Sequence, residues 1–167
     1  MRLHFFILPL VLLAGCAGYQ LGPTNGLSAG EKSVQVNPFI NETFEPRLSE
    51  SITLEVRKRV QQDGTYKLAT HNDGDIIING VILQYDRSAL SYQPGDVLTV
   101  RDYQLTVSAR ITAVDRISGA TNAHQIVRGR TIVRVGRDLT SAERQAVPLV
   151  AYDLARNVVA AIADGTW

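Results

Sequence analysis

The chain has 167 residues, with 17 basic and 16 acidic side chains, one cysteine and 45% hydrophobic residues. A charge balance this even excludes nucleic-acid binding through bulk positive charge, because such domains are strongly basic. A single thiol excludes a disulfide framework and a cysteine-built metal site.

Arg2 and His4 precede an apolar run from Phe5 to Leu13, and Ala14-Gly15-Cys16 follows it. The run of about nine residues is far below the roughly 20 that a membrane-spanning helix needs, and it suits a secretory signal core. Leu13-Ala14-Gly15-Cys16 resembles a bacterial lipobox, in which the cysteine is acylated and becomes the first mature residue. Residues 1–15 are therefore expected to be removed as a signal peptide, leaving Cys16 lipidated. Loss of Arg2 then equalises basic and acidic residues, and acylation consumes the only thiol. About 150 residues remain, enough for one domain with its own core. Two or more acyl chains make a stable anchor, at about 0.8 kcal/mol per buried methylene. Ala17 stands where an aspartate often signals inner-membrane retention, so the resemblance implies the outer membrane, with the domain on its periplasmic side. Asn41-Glu42-Thr43 is a glycosylation sequon only in a eukaryotic secreted protein and reads here as a loop.

Residues 16–32, rich in glycine and turn formers, read as a lipidated flexible tether, and residues 33–167 as a single domain. Ser33 to Phe39 predicts a short strand closed by Pro38. Pro46 then opens a helix whose apolar stripe is Leu48, Ile52, Val56 and Val60, ending near Asp63-Gly64. Tyr66 to Ala69 has the length of a short strand, and His71 to Asp75 reads as a turn. Ile76 to Tyr85, dense in β-branched residues, predicts a largely buried strand, and Ser88 to Gly95 a loop.

From Tyr103 to Ala113 the period is strictly two. Tyr103, Leu105, Val107, Ala109, Ile111 and Ala113 share one face, and Gln104, Thr106, Ser108, Arg110 and Thr112 the other. After a turn at Ser118–Asn122, a partner strand from about Gln125 to Val135 completes an antiparallel hairpin. Thr140-Ser141-Ala142-Glu143 has the pattern of a capping box opening a second helix, in which Pro148 either makes a kink, the preferred reading, or marks the proper start after a single preceding turn. The expected fold class is α+β: two helices packed on one face of a four-stranded, mostly antiparallel (mixed) sheet.

Catalytic constellations are thin. His71 and His124 share no metal-like spacing, and no nucleophile elbow, phosphate loop or dinucleotide fingerprint occurs. No enzyme activity and no cofactor are therefore expected. The polar feature that stands out is a row of arginines. Arg110 on one long strand and Arg128, Arg130 and Arg134 on the next would share the sheet face turned away from the helices. Guanidinium groups pair bidentately with phosphates. Basic residues also simply solvate exposed sheets and discourage edge pairing, so both readings stand at this level. Tyr85, Tyr92 and Tyr103, gathered around the expected loop, suit either an interface or a sheet edge.

Cys16-Ala17-Gly18-Tyr19-Gln20-Leu21, followed by Val34-Gln35-Val36-Asn37-Pro38-Phe39-Ile40-Asn41-Glu42-Thr43-Phe44-Glu45-Pro46, resembles the lipopolysaccharide-assembly lipoprotein LptE family. Gly74-Asp75-Ile76-Ile77-Ile78-Asn79-Gly80-Val81-Ile82-Leu83-Gln84-Tyr85 is similar to a second strand of that family, with Gly74 where alanine is usual. The resemblance implies an outer-membrane lipoprotein that plugs the LptD β-barrel translocon, helps it assemble, and assists delivery of lipopolysaccharide to the cell surface. It implies phosphates of lipopolysaccharide as partners for Arg110, Arg128, Arg130 and Arg134, although none of these lies in the matched motifs. The alternative function is a free-standing outer-membrane lipoprotein that binds a ligand or serves as pilot for another envelope machine.

Overall fold

The computed structural model describes residues 30–136 and 138–163. The expected signal peptide, Cys16 and most of the tether lie outside these residues. The elements run β1 (Ser33–Val36), β2 (Ile40–Asn41), α1 (Leu48–Asp63), β3 (Lys67–Leu68), β4 (Ile76–Gln93), β5 (Asp96–Asp115), β6 (Thr121–Arg134) and α2 (Leu139–Ala163). They form one mixed sheet in the order β3-β1-β4-β5-β6, with β2 also pairing with β4. The fold is α+β as expected, but the sheet has six strands where four were expected. Two of the six, β2 and β3, are only two residues long, too short for an alternating pattern to show in sequence.

The expected first strand, Ser33 to Phe39, ends at Val36, and a second short strand that was not expected follows at Ile40–Asn41. β1 runs parallel to β4 at Ile76–Ile78, and β2 runs parallel to it at Val81 and Ile82. Between them Pro38 has no N–H for the ladder, and Phe39 turns inward to 2% exposure. The Phe39 amide donates to Thr53 Oγ1 at 3.0 Å, and its carbonyl accepts from the Ser49 hydroxyl. Helix α1 thus satisfies the backbone groups that the break releases. The ring lies against Gly80 of β4, where an added Cβ would stand 2.1 Å from it.

Period two then decides the core. Val34, Val36, Ile76, Ile78, Ile82, Leu105, Val107, Ala109, Ile111, Ala113, Ala123, Val127 and Val133 are buried on the inner face. Both helices cover it: α1 with Leu48, Ile52, Val56 and Val60, and α2 with Val150, Ala151, Leu154, Val158 and Ile162. Although long and apolar enough to cross a bilayer, α2 puts its apolar stripe into this core.

Further sequence expectations need correction. Ser88–Gly95 is not a loop: β4 continues to Gln93 and pairs with β5 down to Asp96, so only Pro94-Gly95 turns. Gly95 has φ of 81° after a proline, the pattern of a type II turn. The polar flanks of that turn hid a ribbon whose partner strand lies directly after it. At the other end of the chain, α2 is capped by Asp138 rather than Thr140. The Asp138 carboxylate accepts from the amides of Thr140 and Ser141 at 3.1 and 3.0 Å. Glu143 instead pairs with Arg87 of β4 at 2.7 Å. Helix α2 runs unbroken through Pro148, which sits on its exposed side. Proline has no N–H to give the Arg144 carbonyl one turn before it.

Candidate functional site

The four arginines of the sequence pattern do lie on one face, the outer one. Register fixes their places: Arg110 of β5 opposes Ile126 of β6, Arg128 opposes Ser108, Arg130 opposes Thr106, and Arg134 opposes Asp102. Arg128 and Arg130 are two residues apart on one strand, about 7 Å. Arg110 is diagonal to Arg128 at a Cβ separation of about 7–8 Å. Arg110, Arg128 and Arg130 are exposed, and among the described residues no carboxylate pairs with them.

Arg134 differs. Its Nε donates to Asp102 Oδ1 at 3.0 Å, while Arg101 and Ser91 donate to Oδ2 at 2.9 and 2.5 Å. Asp102 is 6% exposed. The Ser91 hydroxyl and then the two guanidinium groups hold its carboxyl well below the usual carboxylate range. Arg134 therefore closes an ion cluster at the end of β6, and three free guanidinium groups remain.

Sequence reasoning missed the apolar part of this face. Ile40 opposes Val81, Val81 opposes Arg110, and Arg110 opposes Ile126, a row crossing four strands. Ile40 is 63% exposed, Ile126 49% and Ile132 61%. Ile132 already interrupted the arginine pattern in sequence, but Ile40 and Val81 reach the face only through parallel pairing that no local pattern encodes. The result is an amphipathic surface: Arg110, Arg128 and Arg130 supply the charge, Ile40, Ile126 and Ile132 the apolar area, and Ser108 and Thr106 stand opposite two of the arginines. Such a surface can hold an amphiphile whose head carries phosphate.

The remaining candidates do not assemble. His71 is hydrogen-bonded to Thr70, and His124 to Thr112 on a different element. Among the described residues no group of three histidine, cysteine or acidic side chains could hold a metal. Of the tyrosines, Tyr85 packs between the main core and a smaller cluster of Leu105, Val133 and Ala146. Burial pushes its phenol up to about 12. Tyr103 is half-buried, and Tyr92 is half-exposed beside the ribbon's turn. Cys16 lies outside the described residues.

The fold is shared with other bacterial proteins. A hypothetical protein from Chlamydia trachomatis matches with a TM-score of 0.55 at 11% identity, covering 79% of this chain and 95% of its own. A minor lipoprotein from Acinetobacter baumannii matches with a TM-score of 0.53 at 14% identity, covering 79% and 92%. At these identities the likeness is one of fold. No curated protein matches the sequence itself. A family model, described as lipopolysaccharide-assembly, matches residues 31–162, from just before β1 to the last turn of α2. With nearly all of the domain matched, this chain belongs to the LptE family of lipopolysaccharide-assembly proteins.

Proposed function

We propose that this protein is an outer-membrane lipoprotein, anchored through Cys16 on the periplasmic side, that plugs and helps assemble an LptD-like β-barrel and assists lipopolysaccharide delivery to the cell surface. The observation that carries the reading is the family match across the whole domain. The role is non-catalytic: the domain binds and fills, and its chemistry is that of surfaces. Support comes from the outer face, where three guanidinium groups stand among isoleucines. Lipopolysaccharide presents phosphates beside acyl chains, and a barrel lumen presents a polar wall; this face suits both.

Two measurements test the reading. The lipidated protein, purified from native membranes in mild detergent, should bring down a large outer-membrane barrel at a fixed ratio; recovery of the protein alone refutes the plug. The double variant Arg128→Glu, Arg130→Glu should weaken lipopolysaccharide binding by about tenfold or more, because charge-assisted contacts of about 1.5–3 kcal/mol become repulsive. Circular dichroism should be unchanged, since both side chains are exposed. Equal affinity of variant and parent would remove the phosphate role from this face.

A further inference from the structure

The sheet treats its two long edges differently. On β6, the outward edge is occupied by α2. The Arg130 amide donates to Asp153 Oδ2 at 2.9 Å, and Asn157 Nδ2 donates to the Arg128 carbonyl at 2.7 Å. Side chains thus fill two of the backbone positions an incoming strand would need. On β4, the outward edge is covered by β1 and β2 only as far as Ile82. The last bond there runs from the Glu42 amide to the Ile82 carbonyl at 3.0 Å. The chain then leaves the sheet in a turn tied by Asn41, whose side chain accepts from the Thr43 amide and donates to the Glu45 carbonyl. β4 continues to Gln93, and among the described residues no strand pairs with its far side beyond Ile82.

A groove of about 420 Å³ lies where β2 stops, lined by residues 42–45 and 83–87. Phe44 stands fully exposed at its side. Its charge is one-sided. Glu42, Glu45 and Asp86 line it, and among the described residues no basic side chain pairs with them. The one guanidinium in the lining, Arg87, is already bound to Glu143. Leu83, Gln84 and Tyr85 of β4 complete the lining.

We propose that the β4 edge from Leu83 onward is a strand-addition site for an extended basic segment of another polypeptide. Backbone pairing with β4 supplies the affinity, and Glu42, Glu45 and Asp86 select lysine or arginine at the alternate positions that face them. The incoming strand continues the line that β2 abandons, giving β4 a neighbour on both sides. The site is separate from the arginine face, so it neither needs nor tests the lipopolysaccharide reading.

The test uses full-length lipidated protein in detergent, hydrogen exchange read by mass spectrometry, and a short end-capped peptide alternating lysine and valine as probe. The peptide should slow exchange of the edge amides within residues 84–92 by about tenfold or more. A peptide with glutamate in place of lysine should not. The exposed-site variant Glu42→Lys, Asp86→Lys should lose the slowing at the same peptide concentration while keeping its melting temperature; if it melts early, Glu45→Gln serves instead. Equal slowing by both peptides, or slowing at β6 rather than β4, overturns the proposal. So does protection that grows with protein concentration in the absence of peptide, which would make the occupant a second copy of the chain.

Discussion

Carboxylates in this domain act mainly by holding backbone and side-chain donors, and Asp115 and Asp102 show two versions. At the β5–β6 turn, Asp115 accepts from the amides of Ser118 and Ile117 at 2.9 and 3.1 Å and from the Ser118 hydroxyl. Lys32 reaches it from the chain entry at 3.4 Å. The Ser118 contacts dominate in lowering its pKa from 3.8 to about 2. A lowered folded value means that the ionised form is favoured by folding. Its contribution is complete above the unfolded value near 4 and is lost as pH falls toward 2. Asp115→Asn should therefore lower stability at neutral pH, and the gap from the parent should close between about pH 4 and pH 2. Urea melts at stepped pH check this; a gap that persists at pH 2 would contradict it. Asp102 titrates lower still, and its partner Arg134 marks the limit of reading single residues. Arg134 and Arg130 look alike in sequence, and only the register that sets Asp102 opposite Arg134 separates them.

Among the elements, α2 packs tightly on β6. Gly129 has no side chain because α2 occupies the space. An added Cβ would meet the Leu154 amide nitrogen, the Leu154 Cβ and the Val150 carbonyl, each at 2.6 Å. These are mostly backbone atoms of a helix, which cannot yield singly. Gly129→Ala should destabilise the domain by about 1–3 kcal/mol, as overpacking does. Gly136→Ala, with nothing within 4 Å, should stay within about 0.5 kcal/mol. Chemical denaturation of both variants decides; equal midpoints would mean that α2 does not sit this close. Periodicity read from the sequence found both helices and the two faces of β5, because each is long enough to repeat. It missed the extent of β4, whose outer half carries polar residues on both sides because no layer covers it. It also misplaced the α2 cap. Thr140, Ser141 and Glu143 match a capping box, yet Asp138 is the residue that stands outside the helix with its carboxylate turned back.

Across the whole molecule, a compact two-layer body gives way to a two-stranded arm. β2 ends opposite Ile82 and β6 ends opposite Asp102, so among the described residues the ribbon beyond them has neither a third strand nor a helix over it. Leu90, Tyr92, Val97 and Leu98 on it are 51, 50, 80 and 89% exposed. Because these side chains add little to the core, replacing residues 92–99 by a two-residue Asn-Gly turn should cost less than about 1 kcal/mol. That amounts to a shift of only a few degrees in Tm. A large drop would show that the arm stabilises the body. If the shortened protein keeps its Tm but no longer recovers a barrel from membranes, the arm belongs to the contact surface of the proposed plug.

The sequence by itself determined the class of the fold, the inner face and the outer arginines, because helix and strand periods place side chains without reference to distant residues. It also carried the Leu13–Cys16 stretch that resembles a lipobox and the motifs that resemble the family. Tertiary structure alone decided which arginines are free, which isoleucines join them, and where the sheet is left open. Those depend on strand register and on where neighbouring strands stop. Both are set by pairing between distant segments, as between Ile40 and Val81, 41 residues apart, or Asp102 and Arg134, 32 apart, and no local pattern encodes such pairings.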